Sequence, residues 1–263
     1  MKLGKESLAF LERLIETPSP SGYEDSAAAL WEKEALAFTP HVRRDAHGNT
    51  DAIVNPGGTP RIMLSGHYDE IGFLVTHIDS DGFLWIAPIG GWDSQIAQGQ
   101  RVIIRGRKGP IPGVIGKCPV HLLKEEARKQ VTKIEDLWVD IGAKNRKAAE
   151  KLVEIGDPIV LDYGLKRLEG DVLAGRAFDN RAGAFIVLEA ARALSVREPR
   201  AEIHAVATVQ EEIGLRGART AAFGVDPQFA IAVDVTFATD HPSMGDALKH
   251  EGKVKLGGGA VIT

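Results

Sequence analysis

Glu211 and Glu212 stand side by side in "TVQEEIG" (208–214), at the end of an apolar run. Neighbours on an extended strand point to opposite faces, and burying an unpaired carboxylate is costly. Two adjacent glutamates at such a place make sense if both serve one site. Groups of the same kind recur elsewhere: His67 and Asp69 in "SGHYDE", Asp179 in "GRAFDNR" and Asp234 in "AVDV". Together they offer one imidazole, several carboxylates and no sulfur, the donor set of a hard or borderline divalent cation. His67 and Asp69 lie on the same side of an extended chain. Asp69 is therefore suited to accept the second ring N–H of a metal-bound His67 and fix its tautomer. A sharp turn after the strand, helped by Gly214, lets Glu211 and Glu212 face the site together. One then binds metal while the other moves protons from water whose pKa the metal has brought down to about 7.

Elements remote in sequence must bring these residues together. Leu8, Leu11, Leu14 and Ile15 recur at helical spacing, so 5–16 reads as an amphipathic helix. "TPSPSGYE" (17–24) breaks it, and a second helix runs from about Glu24 to Phe38. "TDAIVN" (50–55) and "RIMLSGH" (61–67) read as strands with the turn "PGGTP" between them. Ile62, Met63 and Leu64 suit a strand buried on both faces. From 70 to 163 come short β-type runs ("IGFLVTHI", "GFLWIAPI", "RVIIRG", "GVIGKC") punctuated by Gly, Pro and Asp, with no long helix before 144–155. That texture predicts a small all-β barrel. After 170 the pattern alternates: a helix over 179–195, a strand over 202–210, a helix over 215–223 and a buried strand over 229–235. The expected architecture is an α/β domain with a mixed sheet flanked by helices (1–69 and 164–263), interrupted by a β insert (70–163). His67, Asp69, the two glutamates and Asp234 then fall at the ends of strands, and Asp179 opens a helix. Ligand sites in such sheets form outside the carboxyl ends of the strands.

Composition bounds the function. The chain has 263 residues, 44% hydrophobic and 26% charged, enough for a substantial core, with a net charge of -4. No basic stripe with interleaved aromatics points to nucleic acid, no apolar run reaches membrane-spanning length, and the N-terminus lacks a signal-peptide pattern. A single cysteine, Cys118, excludes an internal disulfide and fits a reducing, cytoplasmic setting. Plain structural roles are expected for His47, His77, His121 and His204, packing for Cys118, and core or interface positions for the four tryptophans. "GGG" (257–259) lacks the spacing of a phosphate-binding loop, and "KEEARKQ" (124–130) reads as a solvated loop or short helix. Asp179 alone would be read as a helix cap, and Asp234 alone as the partner of a buried cation; the company they keep favours metal.

"HYDEIGFLV", "GRAFDNRAG", "TVQEEIGLRGA" and "IAVDVT" resemble the signature segments of the M42 family of dinuclear metallo-aminopeptidases, which includes tetrahedral-shell, glutamyl and deblocking aminopeptidases. The resemblance runs from "TPSPSGYE" to "KLGGGAVIT", with 112 residues from His67 to Asp179, 33 on to Glu212 and 22 more to Asp234. It implies a zinc-exopeptidase type of fold whose insert serves dimerisation, and a homo-oligomer, as dimers or a twelve-subunit shell. It also implies two divalent ions, zinc or cobalt or else manganese. His67 and Asp234 would hold one and Asp179 would bridge to the second, bound by Glu212. Glu211 would be the general base for removing N-terminal residues from peptides. Family chains are longer and carry a last histidine ligand beyond the segment matching "KLGGGAVIT". The second site is therefore expected to lack its histidine here, since His241 and His250 do not occupy the matching place. Two other functions compete. One is a catalytically incomplete homologue or fragment that keeps only the assembly scaffold. The other is an endoglucanase-type glycoside hydrolase, disfavoured because adjacent glutamates are poorly placed to straddle a sugar bond.

Overall fold

A computed structural model of the chain describes residues 4–242, 244–245 and 252–262. Two helices, α1 (Lys5–Glu16) and α2 (Asp25–Ala35), precede the strands β1 (Val42–Arg44), β2 (Thr50–Val54) and β3 (Arg61–His67). α1 turns Phe10, Leu11, Leu14 and Ile15 inward, the stripe that a 3.6-residue period dictates. After the insert come a small hairpin, helix α6 (Phe178–Ser195), β12 (Glu202–Thr208), α7 (Arg216–Val225) and β13 (Phe229–Ala232). The sheet runs β1-β2-β12-β3-β13. β12 lies at its centre, buried along its whole length, antiparallel to β2 and parallel to β3. β2 and β3, although joined by the "PGGTP" turn, are thus separated by β12. β13 extends the sheet parallel to β3.

Helices cover both faces. α1, α2 and α6 bury one face in a core that includes Trp31, whose Nε1 donates to the Ala184 carbonyl at 2.9 Å. On the other, Ala221 and Val225 of α7 pack on Met63 and Val206.

The insert leaves the sheet only four residues after β3. Its strands are β4 (Gly72–Ile78), β5 (Leu84–Ile89), β6 (Arg101–Gly106), β7 (Gly109–Gly116), β8 (Trp138–Asp140) and β9 (Pro158–Leu161). They close into a barrel in the order β4-β5-β8-β7-β6-β9, every pair antiparallel. The alternation of each strand turns Phe73, Val75, Leu84, Ile86, Val102, Ile104, Ile115, Val139 and Ile159 into a core separate from that of the sheet. Three single-turn helices, α3 (Ser94–Ala97), α4 (Glu125–Arg128) and α5 (Arg146–Ala149), decorate it. The hairpin that follows is β10 (Lys166–Arg167) with β11 (Leu173–Ala174). No helix among the described residues is long and apolar enough to cross a membrane.

Three expectations need correction. The helix over 144–155 shrinks to α5, because after Ala149 the chain turns back to bury Val153 in the barrel. The strand at 229–235 is not buried: β13 pairs only with β3 among the described strands and leaves Phe229 61% exposed. Cys118 is exposed just beyond β7 rather than packed.

His204 does have the structural role expected of it. It is buried on β12 with Nδ1 2.8 Å from Asp51 Oδ2 and Nε2 2.8 Å from Glu202 Oε1. Arg43 and Arg61 stand behind the two carboxylates at 3.0 and 2.8 Å. A ring with a carboxylate at each nitrogen must donate from both, so it is an imidazolium. Burial favours the neutral ring, but Asp51 and Glu202 outweigh it and raise the His204 pKa. The hydrogen bond from His204 leads in holding the Glu202 carboxyl down at about 2. Because the fold binds this proton more tightly than the unfolded chain, the stabilisation is complete below the unfolded value of 6.5 and fades as pH rises through the higher folded value. Urea melts from pH 6 to 9 should therefore show a loss of stability in the natural chain that flattens in His204→Gln. An identical slope in the variant would show that the ring is neutral in the fold.

Candidate metal centre

β3 and β12 run in parallel and deliver His67 and the segment after Thr208 to the same edge of the sheet. The helix α6 begins beside them. Gly66 and Gly183 make this approach possible. A Cβ on Gly66 would lie 2.5 Å from the backbone of Gly183, and one on Gly183 would lie 2.4 Å from the Val233 carbonyl. Strand, helix and the segment after β13 are thus in backbone contact, and Asp179 and Asp234 are brought to His67. Asp179 is not the cap of α6. It has extended dihedrals, and the residue that caps the helical turn is Asn180, whose Oδ1 accepts from the Gly183 N–H at 2.8 Å.

The ligand atoms of His67, Asp179 and Asp234 lie within 4.8 Å of one another, and so do those of His67, Glu211 and Glu212. The four predicted carboxylate positions, Asp179, Glu211, Glu212 and Asp234, therefore share the one imidazole of His67. Asp69 completes the set: its Oδ1 is 3.3 Å from His67 Nδ1, and its side chain is fully buried. His241 belongs to neither group, its Nδ1 lying 2.6 Å from the Pro242 carbonyl. His250 lies outside the described residues.

The question raised by the paired glutamates is answered by their backbone. Gln210 has φ +54° and Gly214 φ +120°, so the turn begins one residue before the pair rather than only after it. The Glu211 and Glu212 N–H groups donate to Asp69 Oδ1 and Oδ2 at 3.1 and 3.2 Å. Ser21 Oγ donates to Asp69 Oδ2 at 2.6 Å. Asp69 thus orients the histidine and both glutamates at once. On the other side, Gly90 of the barrel (φ +77°) comes so close that a Cβ there would meet Ile71 at 2.6 Å and Glu212 Cβ at 3.3 Å. Trp92 holds that loop, stacked on Phe73 with Nε1 donating 2.8 Å to the Gly72 carbonyl. Ser21, Gly66 and Gly183 leave only the trace of the "SG" and "AG" pairs around the motifs, and Gly90 only that of the "GG" before Trp92.

Charge tests whether a cation fits. Asp69, Asp179, Glu211, Glu212 and Asp234 crowd around a single imidazole. Burial, then the Asp179 charge, pushes the Glu212 carboxyl up to about 7. Burial likewise raises Glu211 and Asp234. For His67, burial opposes protonation, but Asp179, Asp69 and Glu211 outweigh it and raise the ring to about 10. Asp69 is lowered despite burial, by the hydrogen bonds it accepts from His67 and Ser21. His67 Nε2 is buried and lacks a hydrogen-bond partner; it sits 3.2 Å from Asp179 Oδ1 and 3.5 Å from Glu211 Oε2 without the geometry to bond either. An orphaned imidazole nitrogen facing surplus carboxylates fits a divalent cation.

Comparison with known proteins agrees with this chemistry. The family model for M42 glutamyl aminopeptidase matches residues 48–263. The lysyl aminopeptidase of Pyrococcus furiosus is 38% identical over 247 residues, 92% of this chain and 70% of that protein. The crystal structure of a TET aminopeptidase from a marine sediment Thaumarchaeota archaeon superposes with a TM-score of 0.87 at 37% identity, covering 91% of this chain and 68% of that one. The TET1 peptidase of Pyrococcus horikoshii, which can assemble into a tetrahedron or a large octahedral shell, gives 0.81 at 34% identity, covering 91% and 72%.

The glycine contact yields a direct test. In Gly66→Ala the new methyl meets backbone, which cannot swing aside, so α6 must retreat and take Asp179 with it. Overpacking of this kind costs about 1–3 kcal/mol, and a displacement on the order of 1 Å can cost about 100-fold in rate. Calorimetric titration with zinc should show weaker binding by the variant. Unchanged affinity in a folded variant would mean that the close approach does not set the position of Asp179.

Proposed function

The chain belongs to the M42 family of metal-dependent aminopeptidases, and we propose that in it His67, Asp179 and Asp234 hold one divalent cation while Glu211 serves as general base. The orphaned His67 Nε2 among carboxylates carries this reading. A second cation would lie by Glu212, sharing Asp179. The oxygen-and-imidazole donor set suits zinc, cobalt or manganese. When bound, the metal acts as a Lewis acid that acidifies water and polarises the scissile carbonyl. Everything else falls to the chain itself. Asp69 meets His67 Nδ1 with its backbone carbonyl and its carboxylate Oδ1, each 3.3 Å away, and so leaves Nε2 free as a donor of electrons. Glu211, partly exposed beside His67, takes the proton of the attacking water on its carboxylate and returns it to the leaving amine. Glu212, drawn into the same turn, adds negative charge that keeps a cation in place.

The proposed substrates are peptides with a free N-terminal residue. The proposed setting is the cytoplasm, which the exposed thiol of Cys118 favours. The proposed division of labour keeps catalysis in 1–69 and 164–263 and gives 70–163 the task of assembly.

Glu211→Gln should lower kcat by roughly 100- to 10,000-fold on aminoacyl chromogenic substrates while retaining bound metal. Chelation should abolish turnover, and added zinc or cobalt should restore it. Turnover that survives exhaustive chelation would sink the metal assignment. A second measurement addresses assembly. Val120, Leu122 and Val131 stand exposed beside the barrel, and the protein should run in light scattering as a multiple of the 28.3 kDa chain. A monomer at all accessible concentrations would remove the self-association part of the proposal.

A further inference from the structure

After β12 the chain passes four consecutive amides to side-chain acceptors from other segments. The Val209 N–H donates to Asn49 Oδ1 at 3.0 Å and the Gln210 N–H to Glu24 Oε1 at 3.1 Å. Those of Glu211 and Glu212 go to Asp69. Asn49 and Asp69 have further partners that explain their presence. Asn49 also donates to the Gly217 carbonyl, and Asp69 also accepts from Ser21. Glu24 is the unexplained member.

It is a buried carboxylate at the first residue before α2, yet its side chain makes no capping bond to that helix. Instead it turns outward, where Oε1 accepts from the Gly22 N–H at 2.9 Å and from Gln210. Gln210 is the residue whose positive φ starts the turn that aims both glutamates at His67. A non-glycine residue in that region is held there by its surroundings, and the bond to Glu24 is the one its own N–H makes. Burying a carboxylate near Asp69 is costly unless it is used.

We propose that Glu24 is a positioning residue for the aminopeptidase reaction, acting through the Gln210 N–H to hold the turn that presents Glu211 and Glu212. The proposal rests on the assignment of Glu211 as the base. It joins the "SGYE" turn, far away in sequence, to the proton-transfer group without touching substrate or metal.

The test uses Glu24→Ala, Glu24→Asp and Glu24→Gln in the full chain, each alone and combined with Glu211→Gln. The first readout is amide hydrogen exchange of the segment 209–213, which needs no turnover. Protection there should fall about 10-fold or more in the Ala and Asp variants. The Gln variant, which still offers an acceptor oxygen in the same place, should retain it. The second readout is kinetic. kcat should fall about 100-fold in the Ala variant with little change in KM, and should stay within about threefold in the Gln variant. In the Glu211→Gln background, removing Glu24 should cost nothing further, because groups that act as one unit are not additive. Unchanged exchange in Glu24→Ala, or equal multiplicative losses in both backgrounds, would overturn the proposal. If Glu24→Ala does not fold, Glu24→Asp is read against Glu24→Gln by the same criteria. If Glu211→Gln retains the natural rate, the assignment of the base fails, while the exchange experiment still decides whether Glu24 holds the turn.

Discussion

A guanidinium that never meets water holds the catalytic end of this molecule together. Arg181 is completely buried, and its Nη2 lies 2.7 Å from Glu70 Oε1. Its Nε donates to the Tyr68 carbonyl at 3.1 Å and its Nη1 to the Leu14 and Ile15 carbonyls at 2.7 and 3.0 Å. Arg176 adds two bonds to Glu70 and one to the Glu16 carbonyl. The last carbonyls of α1, which no helix can satisfy internally, thus find donors in Arg176, just before α6, and in Arg181, in its first turn. A lone buried charge would be intolerable, so Glu70 and the arginines require one another. Their mutual demand fixes α1, the 68–70 turn and the start of α6 in one frame. Asp69 sits inside that frame, one residue from Glu70 and two from His67. Asp179 sits two residues before Arg181.

Within the frame two kinds of force are opposed. Hydrogen bonds from the Glu211 and Glu212 amides and from Ser21, with the His67 ring 3.3 Å from Oδ1, stabilise the Asp69 carboxylate as an anion. Glu211 and Glu212 beyond it accept no such donors among the described residues, and burial raises both; burial raises Asp234 as well, although the Val235 N–H donates to its Oδ1 at 2.7 Å. The protein thus satisfies the Asp69 anion most fully with its own donors and leaves the two glutamate carboxylates without them among the described residues. Carboxylates left in this state are what the proposed cation would neutralise. The Asp51–His204–Glu202 cluster on the paired strands β2 and β12 makes the contrast plain. There Arg43 and Arg61 pair with the two carboxylates around a central ring, although Asp51 Oδ1 itself has no hydrogen-bond partner.

Legibility in the sequence followed the range of the forces involved. The amphipathic α1, the apolar β3 and the alternating barrel strands could be read because their periodicity is local. That the candidate site residues would be brought together could be read because several motifs with one donor chemistry stand near strand ends. The burial of 229–235 was misjudged because "FAIAVDV" records hydrophobicity, not which neighbours cover it. Val153 was taken for part of a helix because its burial in the barrel is a tertiary matter. The packing of Cys118 was likewise inferred from its type. Glu24, Gly66 and Arg181 were invisible for the opposite reason: each acts on backbone atoms more than 100 residues away, and an N–H carries no residue identity to pair with.

The barrel is harder to separate from the chemistry than a domain boundary suggests. Only residues 68–71 link β3 to β4. Within them lie Asp69, Glu70 and Ile71, which respectively hold the glutamates, pair with the arginines and touch Gly90. A Cβ on Gly72 would strike the Ile159 carbonyl and Pro20, so β4 is pinned between β9 and the segment after α1. A link this short and this crowded has no slack to absorb a rotation. Any tilt of the barrel would reach Glu212 through Gly90 and Asp69 through the turn. An insert joined in this way is therefore part of the wall of the site, and whatever orders the barrel also orders the carboxylates.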